Sequence, residues 1–165
     1  MVEIKVEGAF NSSLEQKFNE DIAAVEANDV LIISITSNGG EVEVLKNMAV
    51  TIFELKKKKV EVLTYVPEFA ASAGFFLFLL GDHREMEPGA KVHYHPPRIQ
   101  LESDTVVTKN DLSEMLTDIS AYQEFTNGIF RASCNIEDDL FSLLENSELP
   151  MNRQHLISLG IIDNN

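Results

Sequence analysis

Val30-Leu-Ile-Ile-Ser-Ile-Thr-Ser-Asn-Gly-Gly40 is the stretch on which the fold turns. Val30 to Ile35 is apolar apart from Ser34, as expected of a strand covered on both faces in a parallel sheet. The run stops at Thr36-Ser-Asn-Gly-Gly40, where two glycines allow backbone directions that a Cβ would block. Upstream, Val2, Ile4 and Val6 alternate with Glu3, Lys5 and Glu7, which predicts a half-buried strand ended by Gly8. A helix is expected between the two strands. Leu14, Phe18, Ile22 and Val25 place one apolar stripe over Ser13 to Ala27, with Ser13 and Gln16 as a capping box and Asn28-Asp29 as the break.

Downstream the alternation of elements continues. Val44, Leu45, Met48, Ala49, Ile52 and Phe53 form a second helical stripe, closed by Lys56 to Lys59, cations that suit a helix C-terminus and need no further role than solvation. Val60 to Val66 is the next buried strand. It leads through Pro67 to Phe69-Ala-Ala-Ser-Ala-Gly74, after which Phe75 to Leu80, apolar all round, predicts a buried helix. A turn-rich link between Gly81-Asp82 and Pro88-Gly89 holds a short strand, and Lys91 to His95 is another, stopped by Pro96-Pro97. Arg98 to Val107 has no helical stripe and reads as an extended, projecting segment. Thr108 with Asp111 caps a long helix whose Leu112, Met115, Leu116, Ile119, Tyr122, Phe125, Ile129 and Phe130 keep a nearly heptad spacing, suited to packing against another subunit. A helix over Ile136 to Glu145, an extended piece over Glu148 to Met151 and a last helix over Arg153 to Leu159, stopped by Gly160, follow. Strand, helix and strand in repeated order predict an α/β fold with a largely parallel sheet.

At 165 residues, 44% of them hydrophobic, the chain can bury one substantial core, and a single domain over residues 1–165 is expected. The net charge of -14 argues against nucleic acid or an anionic membrane as a partner, because phosphate is held largely by Lys and Arg. Cys134 is the only cysteine, so no intrachain disulfide can form and the cytoplasm is the expected compartment. No charged start leads into an apolar run, and Phe75 to Leu80 is too short to span a bilayer. A soluble protein with neither metal nor cofactor is expected.

Ser72 carries the first hint of chemistry. It sits among small residues where a strand gives way to a helix, so a substrate backbone can approach its hydroxyl and the helix dipole favours negative charge beside it. Hydrolysing an amide with serine further needs a base, an orienter for that base, and donors for the tetrahedral oxyanion. The N–H groups of Gly40 and Ala73 are the candidate donors. His95, at a strand end, is the candidate base; His93, two residues away, faces the same side, so spacing does not separate them. His83, in a turn, and His155, in the last helix, have no nucleophile near them in sequence and read as surface residues.

In chain order, Ser-Asn-Gly-Gly40, Ala-Ala-Ser-Ala-Gly74, Val-His-Tyr-His-Pro-Pro97 and Gly160-Ile-Ile-Asp163 make the chain resemble the proteolytic subunit of Clp protease over nearly its whole length. In that family a strand ends in Asn-Ser-Pro-Gly-Gly, a nucleophile follows in Ala-Ala-Ser-x-Gly/Ala, and a base in His-Gln-Pro. The resemblance implies the ClpP/crotonase-like fold of repeated strand-strand-helix units, with residues 98–134 as a handle through which two heptameric rings stack. It implies a serine endopeptidase that cuts short or unfolded polypeptides inside an oligomeric chamber, with Ser72 as nucleophile, His95 as base and Gly40 with Ala73 as oxyanion hole. The family's acid is an aspartate. Counting back from Gly160 without a gap sets Glu148-Leu-Pro-Met-Asn152 against that motif, which implies Glu148 as the orienter and Asn146 as the alternative. Asn38 stands where the family usually carries proline. The chain starts directly in its first strand, so the family's pore-gating segment is expected to be absent and an AAA+ unfoldase partner is not assumed. Two rival readings keep the fold: a catalytically inactive ring subunit, and a crotonase-type acyl-transfer or hydratase activity in which Ser72 and His95 have no necessary part.

Overall fold

The computed structural model describes residues 1–163. Its elements are β1 (Val2–Phe10), α1 (Ser12–Ile22), β2 (Val30–Gly40), α2 (Val42–Lys57), β3 (Glu61–Val66), β4 (Phe69–Ala71), α3 (Ala73–Leu79), β5 (His83–Met86), β6 (Lys91–Tyr94), α4 (Lys109–Ser133), α5 (Asp138–Leu144), β7 (Leu149–Asn152) and α6 (Arg153–Ser158). The trunk is β2. On one edge it pairs with β1 throughout its length; on the other it pairs first with β3, from Val30↔Glu61 to Ser34↔Tyr65, and then with β4 at Ser37↔Ala70. The sheet therefore forks along one strand. One limb adds β5 outside β3, the other adds β6 outside β4 and then β7; every pairing is parallel except β6 with β7. The largely parallel α/β architecture expected from the sequence is present.

β2 is longer than its apolar run and less symmetrically covered. Leu31, Ile33 and Ile35 are fully buried, whereas Ile32 and Ser34 are only half-buried. The register explains this. Ile4, Ile33 and Thr64 lie in one row across β1, β2 and β3 and are buried, while the next row, Lys5, Ser34 and Tyr65, stays exposed or half-buried. Helices cover one face of this limb, not both.

Several local expectations shift. Gly8 does not end β1; it marks an irregularity, since Glu7 pairs with Thr36 but Ala9 with Gly39, and the strand runs on to Phe10. The cap of α1 is Asn11, not Ser13: Asn11 has extended backbone and its side chain accepts from Leu14 N at 3.0 Å, which puts Ser13 inside the first turn. The helix ends at Ile22, not Ala27. Lys56 is not merely solvated, because its Nζ donates to Leu80 O and Asp82 Oδ1, both at 2.7 Å, and so ties the end of α2 to the end of α3. His83 opens β5 instead of lying in a turn, with its Nε2 2.8 Å from Glu61. The Thr108 and Asp111 capping box of the long helix is formed as expected.

The core centres on α3, every residue of which is buried. Phe75, Phe76, Tyr94, Phe130 and Phe141 meet in edge and tilted contacts with centroids 5.1 to 6.5 Å apart. Tyr94 is fully buried and donates its hydroxyl to Glu145 O at 2.6 Å. Because side chains alternate along a strand, anchoring Tyr94 inward turns His93 and His95 to the opposite side. Burial also pushes the Tyr94 phenol up to about 12. A phenol more acidic in the unfolded chain stabilises the fold below the unfolded value near 10, and that contribution is lost as pH rises towards the folded value. Tyr94→Phe leaves the Glu145 carbonyl without its donor and should lower unfolding free energy at neutral pH by about 1–2 kcal/mol. Denaturant titrations between pH 9 and 12 should show a steeper alkaline loss in the parent than in this variant.

Candidate active site

Ser72 occupies the single residue between β4 and α3, at φ 53° and ψ -125°. Such a backbone is strained for a residue with a Cβ, by about 1–3 kcal/mol, and persists only where its surroundings enforce it. They do so on both sides: Ser72 N donates to His93 O at 2.9 Å, and Phe76 N donates to Ser72 O at 3.1 Å. The hydroxyl does not cap the helix it precedes. It is half-buried and left available.

The end of β2 packs against this elbow. A Cβ built on Gly39, at φ +92°, would lie 2.5 Å from Ser72 Cβ, 2.8 Å from Ala71 O and 2.9 Å from Ala73 N. Only glycine fits. The next residue, Gly40, pairs with Phe10, and Glu41 N donates to Phe10 O at 2.9 Å. Glu41 N is thus committed to β1, and the Gly40 N–H just before it is the expected oxyanion donor. Ala73 opens α3, where first-turn N–H groups have no partner within the helix. Gly40 and Ala73 are thus the two residues expected to offer donors beside Ser72.

β6 brings the histidines. Its pairing Ala71↔His93 sets it beside the nucleophile strand, and His95 lies just past its end, one residue beyond the strand limit at Tyr94. The two rings meet edge to face with centroids 5.9 Å apart. His95 Nδ1 is 3.0 Å from Pro96 O, a distance that suits an Nδ1–H donor and leaves Nε2 as the basic nitrogen. Extending the antiparallel register beyond Tyr94↔Leu149 sets Glu148 opposite His95. Its carboxylate, however, is turned to other partners: Arg98 Nη2 donates to Oε1 at 3.0 Å, and Oε2 lies 3.9 Å from His93 Nε2. Asn146 faces the long helix, accepting from Gln123 Nε2 at 3.1 Å. Thus Ser72, His93, His95, Gly40 and Ala73 gather at one end of the β4–β6 limb, Glu148, just before β7, approaches His93 and not His95, and Asn146 points elsewhere. His155 caps α6, accepting from Asn152 N at 3.2 Å.

A family model described as Clp protease matches residues 3–164. The chain belongs to the Clp protease family. A search of curated proteins finds no match to the sequence. Among solved structures, the chain is similar to a mutant ClpP1 from Listeria monocytogenes, with a TM-score of 0.81 and 19% identity, over 98% of this chain and 88% of that one. At that identity the likeness speaks for the fold, which is ClpP/crotonase-like. The Clp family is one of peptidases, typically assembled into oligomeric rings. Among the described residues no helix is long and apolar enough to cross a membrane.

Residue patterns alone passed over three contributors to this site. Gly39, not only Gly40, makes the approach to Ser72; the doubled glycine was its signal. Ser37 is 1% exposed and lies at the same strand parity as Leu31, Ile33 and Ile35, a clue available from alternation. Arg98, in an extended segment without periodicity, left no such trace. Gly39→Ala must relieve both a positive φ and a contact with three elbow atoms, so unfolding free energy should fall by at least about 2 kcal/mol, read as a lowered midpoint in urea.

Proposed function

We propose that the protein is a serine endopeptidase of the Clp type that hydrolyses short or unfolded polypeptides within an oligomeric chamber in the cytoplasm. Ser72 is the nucleophile, His95 Nε2 takes its proton, and the N–H groups of Gly40 and Ala73 hold the oxyanion. The observation that carries this reading is the strained backbone of Ser72, fixed between β4 and α3 with a side chain free of capping duty and with Gly39 packed against it. Attack by Oγ on the scissile carbonyl moves negative charge onto the carbonyl oxygen, where backbone donors at a helix start are already oriented. The proton on His95 then passes to the leaving amine, and water repeats the sequence to release the acyl group.

Glu148 supplies the negative charge that steadies the His95 imidazolium. The register opposite His95 supports this role, and its pairing with Arg98 is no obstacle. Both side chains are more than half exposed, and such an ion pair is worth at most about 1 kcal/mol, less than a carboxylate gains beside a partly buried imidazolium. Residues 98–134 form the handle of the assembly. Leu112 and Leu116, 56% and 66% exposed on α4, supply apolar surface for a second copy.

A fluorophosphonate probe tests the chemistry. Labelling should appear in the parent, vanish in Ser72→Ala and in His95→Ala, persist in His93→Ala, and slow by about tenfold or more in Glu148→Ala. Labelling lost in His93→Ala but kept in His95→Ala would exchange the two histidines, and no Ser72-dependent labelling would favour an inactive ring subunit. For the assembly, native mass measurement of Leu112→Asp with Leu116→Asp should show particles of about half the parent's mass, as expected if rings no longer stack.

A further inference from the structure

Between the pairs Glu7↔Thr36 and Ala9↔Gly39, β1 contributes one residue, Gly8, while β2 contributes two, Ser37 and Asn38. One extra residue on β2 breaks the ladder and would leave the Gly8 carbonyl and the Gly39 N–H without their ordinary partners. The side chain of Ser37 takes the vacant place. Its Oγ donates to Gly8 O at 2.5 Å and accepts from Gly39 N at 3.0 Å, so the chain of bonds runs from the Gly39 N–H through the hydroxyl to the Gly8 carbonyl. Both glycines it joins have positive φ, +93° and +92°. Ser37 is itself held on its other sides: it pairs with Ala70 of β4, and a Cβ on Gly74, in the first turn of α3, would come within 3.2 Å of its Cβ and of its carbonyl oxygen.

We infer that Ser37 is a positioning residue for peptide hydrolysis, its hydroxyl splicing the interrupted ladder so that the extra residue in β2 swings the Gly40 N–H towards the carbonyl attacked by Ser72. This rests on the assignment of Ser72 and Gly40 proposed above. The hydrogen bonds of the hydroxyl go to Gly8 O and Gly39 N, not to Ser72. It acts by fixing the Asn38–Gly39 peptide, on which the direction of the following peptide and its Gly40 N–H depends, and only a group that donates and accepts at once satisfies both glycines. A methyl group in its place takes the partner from the Gly8 carbonyl and leaves the buried Gly39 N–H unpaired, and the glycine-rich turn gains freedom in which the oxyanion donor is no longer held in line.

The concentration dependence of fluorophosphonate labelling separates positioning from binding. In Ser37→Ala the maximal labelling rate should fall by about 10- to 100-fold, part of the loss seen when an oxyanion donor is removed outright, while the half-saturating probe concentration stays within about threefold. Ser37→Thr, which keeps the hydroxyl, should label at close to the parent's maximal rate. A parent-like maximal rate in Ser37→Ala overturns the inference, and so does an equal loss in Ser37→Thr, which would make packing the cause. If Ser37→Ala does not fold, Ser37→Cys keeps the shape with a far weaker hydrogen-bonding group; a several-fold slower maximal rate is then expected, and a parent-like one overturns the inference. Labelling that survives Ser72→Ala overturns the proposed site and this inference together. Ser72-dependent labelling indifferent to residue 37 overturns this inference alone.

Discussion

The end of β2 meets the Ser72 elbow backbone to backbone, with no room at Gly39 for a single methyl group. Much else in the architecture serves that approach. To arrive there β2 must outrun β3 and pair with β4, which makes the sheet fork; to turn its last N–H groups it must take on an extra residue opposite Gly8. Gly8 and Gly39 adopt positive φ freely, while the strain at Ser72 is held by its backbone bonds to β6 and α3. A site assembled from backbone donors needs this kind of rigidity, since N–H groups have no rotamers with which to adjust.

The site's two halves are built with different stiffness. On the side of Ser72, α3 is buried on all faces, and Tyr94 is locked in an aromatic cluster with its hydroxyl satisfied by Glu145 O. That lock sets the parity of β6 and hence the direction of both histidines. On the side of β7, Glu148 and Arg98 are exposed side chains in a pair that water and salt weaken. The carboxylate can therefore exchange partners at small cost, and the backbone geometry at Ser72 does not depend on where it rests. The start of the long helix is likewise exposed, with its buried contacts confined to the last turns at Thr126, Ile129, Phe130 and Ser133.

Much of the fold was legible because it follows from hydrophobic period and turn chemistry. The apolar run from Val30, the all-round apolar helix after Ser72 and the Thr108 cap each state their structure locally. What was lost depended on choices between near-equivalent neighbours. Asn11 and Ser13 are both good caps, and the backbone leaving Phe10 selects the first; Gly8 looks like a strand end yet serves an irregularity. In the candidate site, Ser72, Gly40 and the histidine pair announced themselves by their surroundings. The residues that hold them did not. Ser37 looked like part of a polar strand ending, although its alternation with Leu31, Ile33 and Ile35 foretold burial, and the attraction of Arg98 for Glu148 joins positions 50 residues apart that no pattern links.

The central claim is that β2 and the elbow together form one oxyanion site around Ser72, and a crystal structure with a peptide boronate tests it most directly. Boron bonded to Ser72 Oγ, with one of its oxygens about 2.7–3.1 Å from both Gly40 N and Ala73 N, is the expected result. Boron bonded elsewhere, or a Ser72 adduct whose oxygens all avoid those two N–H groups, would contradict it.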